Sequence, residues 1–350
     1  MFQQVDIFHR GDEGVHTYRI PALLQTRKGV LLAVADARHE SDRDLPAKIS
    51  LVMRTSSDRG RTWSKAVTIR KVTEGGVGDS SLLLDIRTGR VWCFYNYGPP
   101  GIGFMTSKPG AVTGPTTLQV HAMFSEDDGR TWSEPRDLTP QIKDPAWQGM
   151  FATSGTDFQT SKGRYLVPVV VRDEKGAVSS RNAYSDDHGE TWKIGAAIGS
   201  GTDESHCVEL ADGTIMQNMR RGSTRSIAVS SDGGVTFAAA TNDPALIDPV
   251  CNASITRYRR GGRDLLIFTN DASTKRENLT VKLSGDGGKT WTAGRTIHAG
   301  PSAYSTAIVL DDGSIAVLYE RGEAEYTEKI TFARFNLKWA EAVGRPASLR

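Results

Sequence analysis

Ser56–Trp63 (SSDRGRTW), Ser125–Trp132 (SEDDGRTW), Ser185–Trp192 (SDDHGETW), Ser230–Phe237 (SSDGGVTF) and Ser284–Trp291 (SGDGGKTW) are five copies of one pattern, S-x-D-x-G-x-T-[WF]. Successive copies start 45 to 69 residues apart, too far for a solenoid and suited to one four-stranded propeller blade each. Within a copy, Ser and Asp turn their side-chain oxygens onto nearby backbone N–H groups, Gly supplies a positive φ, and the aromatic plugs the gap between sheets. The pattern is therefore a self-anchored hairpin turn, and its aspartates are read as staples rather than catalysts.

Around these turns run alternating and β-branched segments punctuated by Gly or Asp-Gly, with no convincing amphipathic helix. With each box taken to close the group of strands before it, GVLLAVADAR and KISLVMRTS form the first blade. SSLLLD, RVWCFYNY and LQVHAMFS form the second, RYLVPVVVRD and SRNAYS the third, CVELADGTIMQNMRR and RSIAVS the fourth, and NASITRYR, DLLIFTND and LTVKLS the fifth. A last meander, AYSTAIVLDDGSIAVLYERG with KITFARFNL, has no box and makes a sixth. The expected fold is all-β, a six-bladed β-propeller forming one domain over residues 1–350. The opening VDIFHRG is free to pair into the sixth blade and remove its edge. The Gly- and Pro-rich stretch 98–115 reads as a long loop over the mouth.

Composition limits the function classes. A formal net charge of +2 with 24% charged residues gives no global basic field for nucleic acid. Cys93, Cys207 and Cys251 have no metal-binding or disulfide spacing and are expected as buried thiols. The seven histidines form no HExxH or HxH pair, no phosphate loop is present, and no metal or cofactor is expected. There is neither a membrane-spanning stretch nor a signal peptide in the chain, which reads as cytoplasmic as written, or secreted or periplasmic if a leader was removed.

Ahead of the first blade stands Tyr18-Arg19-Ile20-Pro21, an arginine at the start of a buried strand where a solvated charge is out of place. With this segment and the boxes, the chain resembles the bacterial and animal exo-sialidases of the six-bladed neuraminidase superfamily, similar to glycoside hydrolase family 33. The resemblance runs from Tyr18 to Glu320. It implies three arginines around one carboxylate, Arg19, Arg220 in GTIMQNMR and Arg276 in TKRENLTVKLS, with Arg221 a neighbour of Arg220. Three guanidiniums at one point are unfavourable unless an anion sits between them.

The resemblance further implies Tyr304 in SAYST as nucleophile, Glu204 in DESHCVEL as its base, and Asp44 in DRDLPAKIS as acid/base, with Asp42 as rival. A phenol with a pKa near ~10 needs a base at neutral pH, and being neutral it escapes repulsion by the carboxylate on the anomeric carbon. Glu320 in VLYERG matches the acid that orients the first arginine, while Arg38 and Asp79 match residues that touch ring hydroxyls. Asp157 stands where close relatives carry glycine and is expected to reshape the wall facing the glycerol or N-acyl arm.

The expected activity is retaining exo-α-sialidase hydrolysis of terminal sialic acids on glycoproteins, oligosaccharides and gangliosides. Alternatives are a trans-sialidase, including an intramolecular one giving an anhydro product, a preference for deaminated sialic acid, and a non-catalytic glycan-binding propeller.

Overall fold

A computed structural model describes residues 1–342, and the last part of the expected 1–350 domain lies outside the described residues. Six blades of four antiparallel strands surround an axis. From the axis outward, blade 1 is Thr17–Gln25, Leu31–Arg38, Ile49–Ser56 and Val67–Arg70. Blade 2 is Gly76–Leu84, Val91–Gly98, Gln119–Ser125 and Arg136–Asp137; blade 3 is Gly149–Ala152, Tyr165–Arg172, Val178–Ser185 and Lys193–Ile194. Blade 4 is Ser205–Glu209, Ile215–Met219, Thr224–Ser230 and Thr241–Ile247.

Blade 5 is Ser254–Arg260, Arg263–Asp271, Glu277–Ser284 and the first part of the long strand Arg295–Val309, whose second part opens blade 6. Ile315–Arg321 and Lys329–Phe335 continue blade 6, and Phe2–His9 pairs antiparallel with Lys329–Phe335 as its outermost strand. The early strand thus closes the ring and covers the edge that the sixth blade would expose.

The boxes do not end their blades. In every case the outermost strand follows the box, so the turn leads into that strand rather than out of the blade. These outer strands are short or exposed, as at Arg136–Asp137, and carry little hydrophobic pattern to read. In the first box Ser56 Oγ donates to Asp58 Oδ1 (2.8 Å), Gly60 N donates to Ser56 Oγ (2.8 Å), and Thr62 N and Oγ1 donate to Asp58 at 2.9 and 2.6 Å. The network recurs in the other four, and the Thr donors help hold Asp127 and Asp286 down at about 2.

Each box also binds its blade to the one before. Trp63 meets Phe332 of blade 6 edge-on at 5.2 Å, and Trp192 meets Phe94 of blade 2 at 5.2 Å. Blade 6, without a box, uses Trp339 from the short helix Leu337–Glu341: its ring stacks 4.5 Å from Phe2 and lies tilted 4.6 Å from Phe335, while the Arg295 guanidinium of blade 5 sits 4.1 Å from it. At Gly60 the backbone has φ +82, and an added Cβ would lie 2.1 Å from Phe332 Cε1. Gly60→Ala therefore combines a left-handed penalty with overpacking, about 3 kcal/mol together. With ~2.1 cal/mol/K per residue, Tm is expected to fall by roughly 4 °C by calorimetry. An unchanged Tm would mean that Phe332 has room to give way.

Candidate active site

The inner strands of blades 1, 2, 4 and 6 begin at the same mouth of the axis, and that geometry gathers residues distant in sequence. Arg19, Asp44, Asp79, Glu204, Arg220, Arg276 and Tyr304 all line one cavity of about 650 Å³. Arg38 and Glu320 stand directly behind it, bonded to Asp44 and Arg19. Asp42 and Arg221 do not line it, and Asp42 contributes its carbonyl to Arg38.

Tyr304 is the centre. Its Oη donates to Glu204 Oε1 at 2.8 Å and accepts from Arg220 Nη1 at 3.2 Å, with both Tyr304 and Glu204 only 7% exposed. Burial raises the Glu204 pKa against the opposing pull of Arg220, and burial together with Glu204 pushes the Tyr304 phenol well up. The proton therefore rests on the phenol, with a carboxylate in line to receive it.

The three arginines are held differently. Arg19 is clamped by Glu320 through Nε–Oε1 (2.9 Å) and Nη2–Oε2 (2.8 Å), and Glu320 also accepts the N–H of Ile20 and of Tyr304. Arg220 is clamped by Asp203 at 2.7 and 2.9 Å. Arg276 has no carboxylate partner among the described residues; it donates to the Val250 carbonyl (3.0 Å) and to Tyr326 Oη (3.4 Å). Tyr326 is also 5.3 Å from the Arg19 guanidinium and 5.4 Å from that of Arg276, so its ring supports both cations.

Three residues lining the cavity, Ile20, Asp79 and Val250, have φ of 60, 54 and 60. For β-branched Ile and Val this is strain, held by the surroundings. At Val250 the holder is a fully buried pair, Arg225 and Asp248. Arg225 Nη1 donates to the Cys251 carbonyl (2.8 Å), and Asp248 Oδ1 accepts the Cys251 N–H (2.9 Å). The turn so fixed presents the carbonyl that Arg276 uses.

Across the cavity the wall is apolar, formed by Phe104, Phe151, Val170 and Val178 with Leu45 and Pro46. Phe104 belongs to the loop 98–115, which Arg172 pins by donating to the carbonyls of Phe104, Met105 and Ser107, each at 3.1 Å. The loop is thus a fixed wall of the mouth. Asp79 beside it is pushed up to about 7 by burial and by the Asp44 and Glu204 charges, against Arg38.

With a match to the BNR repeat-like domain family over residues 29–317, a sialidase of Micromonospora viridifaciens is 37% identical across all of this chain. The chain belongs to the sialidase family. A sialidase of Bacteroides fragilis is 34% identical over 92% of the chain. Among solved structures, the Hadza microbial sialidase Hz136 superposes with a TM-score of 0.89 at 31% identity, covering 97% of this chain and 69% of that one. The sialidase-family chain spans 56% of the Micromonospora protein and 63% of the Bacteroides protein.

One expectation is corrected for this sialidase-family chain. Asp157 does not line the cavity around Tyr304; it lies with Cys207, Glu209 and Ser254 on a separate cavity of about 240 Å³, by the far ends of the inner strands. The chain crosses there, Gly155–Thr156 pairing parallel with blade 2, and Ser81 Oγ donates to Asp157 at 2.6 Å. Tyr326, Asp203 and the Arg225–Asp248 pair were not singled out from sequence, and none carries a local motif that would have found it. The three cysteines are free and buried, no described helix is long and apolar enough to cross a membrane, and no metal-ligating cluster occurs among the described residues.

Proposed function

We propose that this propeller is a retaining exo-α-sialidase that hydrolyses terminal α-linked sialic acids. The observation that carries the reading is the Tyr304–Glu204 hydrogen bond of 2.8 Å within reach of three arginines from separate blades. Arg19, Arg220 and Arg276 receive the sugar carboxylate, which places the anomeric carbon over Tyr304 Oη. As Oη attacks, its proton passes to Glu204, and Asp44 protonates the departing glycosidic oxygen. The glycosyl-tyrosine is then opened by water that Asp44 deprotonates, while Glu204 returns its proton to the phenolate. The oxocarbenium-like transition state is stabilised by the fixed charges around it.

The apolar wall of Phe104, Phe151, Val170 and Val178 favours an N-acyl methyl over a bare hydroxyl, and so N-acetylneuraminic acid over the deaminated sugar. Asp44, with its side chain 77% exposed, lies where bulk water reaches it, which favours hydrolysis over transfer. The test is 3'-sialyllactose followed by NMR: the α-anomer of free sialic acid should appear first. Release of the β-anomer first, of an anhydro sugar, or of nothing would reject the reading.

The same scheme fixes a pH dependence. Protonated Glu204 cannot accept the phenol proton, so kcat/KM is lost as pH falls through its pKa, which burial sets above the ordinary 4.5. The acidic limb should therefore lie above 4.5 and vanish in Glu204→Gln. Persistence of that limb in the variant assigns it to another group.

A further inference from the structure

Beneath the cavity lies a carboxylate that the steps above do not use. Asp36, on the second strand of blade 1, is 1% exposed. Its Oδ1 accepts the N–H of Asp79 at 3.0 Å, at the residue held in left-handed backbone. Its Oδ2 has no hydrogen-bond partner and sits 3.6 Å from Arg38 Nη2, the nitrogen that donates to Asp44 Oδ1 at 2.6 Å. A Cβ on Gly78 would come within 2.9 Å of Oδ2, so a residue without a side chain lets blade 2 close over this acid.

A buried carboxylate with an unpaired oxygen is costly. Here it occupies the junction between two residues of the site, with Asp79 and Arg38 as its facing groups and Asp44 beyond Arg38.

We propose that Asp36 is a positioning residue for leaving-group protonation, fixing Asp44 through Arg38 and Asp79 through its backbone N–H. The proposal rests on the reading of Asp44 as acid/base. The Asp44 carboxylate is exposed, and Arg38 is its one hydrogen-bonding side-chain partner among the described residues. Without the Asp36 carboxyl packed against its inner side, the Arg38 guanidinium is free to shift and carry Asp44 with it, and a displacement of ~1 Å can cost ~10²-fold.

The test compares kcat/KM on 3'-sialyllactose, whose sugar leaving group needs a proton, with that on the 4-methylumbelliferyl sialoside, whose aryl leaving group needs little help. Asp36→Ala, which removes the carboxyl from both Arg38 and the Asp79 N–H, is expected to lose about 30-fold on the lactoside and less than about 3-fold on the aryl sialoside, a split that a general structural defect does not produce. Arg38→Lys cuts the same link at its middle and should lose about tenfold more on the lactoside than on the aryl sialoside, whatever loss the two substrates share, which keeps the test open if Asp36→Ala does not fold. Equal losses on both substrates, or none, overturn the proposal when Asp44→Asn itself shows the split. Absence of the split in Asp44→Asn overturns the acid assignment instead.

Discussion

Tyr304→Phe is expected to lower kcat/KM on 3'-sialyllactose by about 10³-fold or more, the equivalent of ~4 kcal/mol in the barrier. The change deletes one oxygen and leaves the ring between Arg19 and Arg276, whose guanidiniums lie 5.4 and 5.7 Å from its centroid. Packing with Ile20, Cys251 and Ala303 is retained, so Tm should hold. What disappears is the oxygen that the proposed mechanism gives to the anomeric carbon, together with the proton it passes to Glu204. Trapping with a fluorinated sialoside should label the wild type at Tyr304 by mass spectrometry and leave the variant unlabelled. Labelling elsewhere, or activity within tenfold of wild type, would remove Tyr304 from the nucleophile role.

Arg276→Ala is the second large effect, and its size differs between two readouts. Arg19 is already neutralised by Glu320 and Arg220 by Asp203, whereas Arg276 has only a carbonyl and a phenol. The charge most available to an incoming carboxylate is therefore on Arg276. Losing a desolvated charge partner costs roughly 2–5 kcal/mol, so kcat/KM should fall by about 10²-fold or more, with KM for sialyllactose raised. Burial works against the Arg276 charge, but the groups around it outweigh burial and keep the guanidinium's pKa above its ordinary value, and only the bonds to Val250 and Tyr326 are lost, so the ligand-free Tm should stay nearly unchanged. A variant with normal kcat/KM would dissolve the three-arginine clamp; a variant losing both activity and Tm would make Arg276 a structural residue.

Legibility in the sequence followed the range of each interaction. The boxes were readable because Ser, Asp, Gly and Thr satisfy one another within eight residues, as the bonds from Ser56 to Thr62 illustrate. Their short outer strands were not, since a two-residue strand such as Arg136–Asp137 has no periodicity. The arginines, Tyr304, Glu204, Asp44 and Glu320 came from family resemblance, and the structure places them around one cavity or directly behind it. Tyr326, Asp203, Asp36 and Arg225–Asp248 act on partners through folding alone: Asp36 reaches Asp79 across 43 positions, and nothing near Asp36 announces it. Asp157 was misplaced for a related reason, because the crossing at Gly155–Thr156 takes the segment past the mouth, a change of direction that residue spacing does not encode.

The pairing of Phe2–His9 with Lys329–Phe335 also sets a timetable for biosynthesis. A nascent chain leaves the ribosome in the N- to C-terminal direction, so Phe2–His9 must wait, unpaired, until its neighbour emerges more than 300 residues later. The Arg19–Glu320 clamp waits almost as long. Blades 2 to 5 can fold as they appear, but the chemistry is assembled last, in the same event that closes the ring. A stalled or truncated chain would accordingly carry folded blades, an open edge and an incomplete cavity, and early chaperone contact should concentrate on the waiting strand.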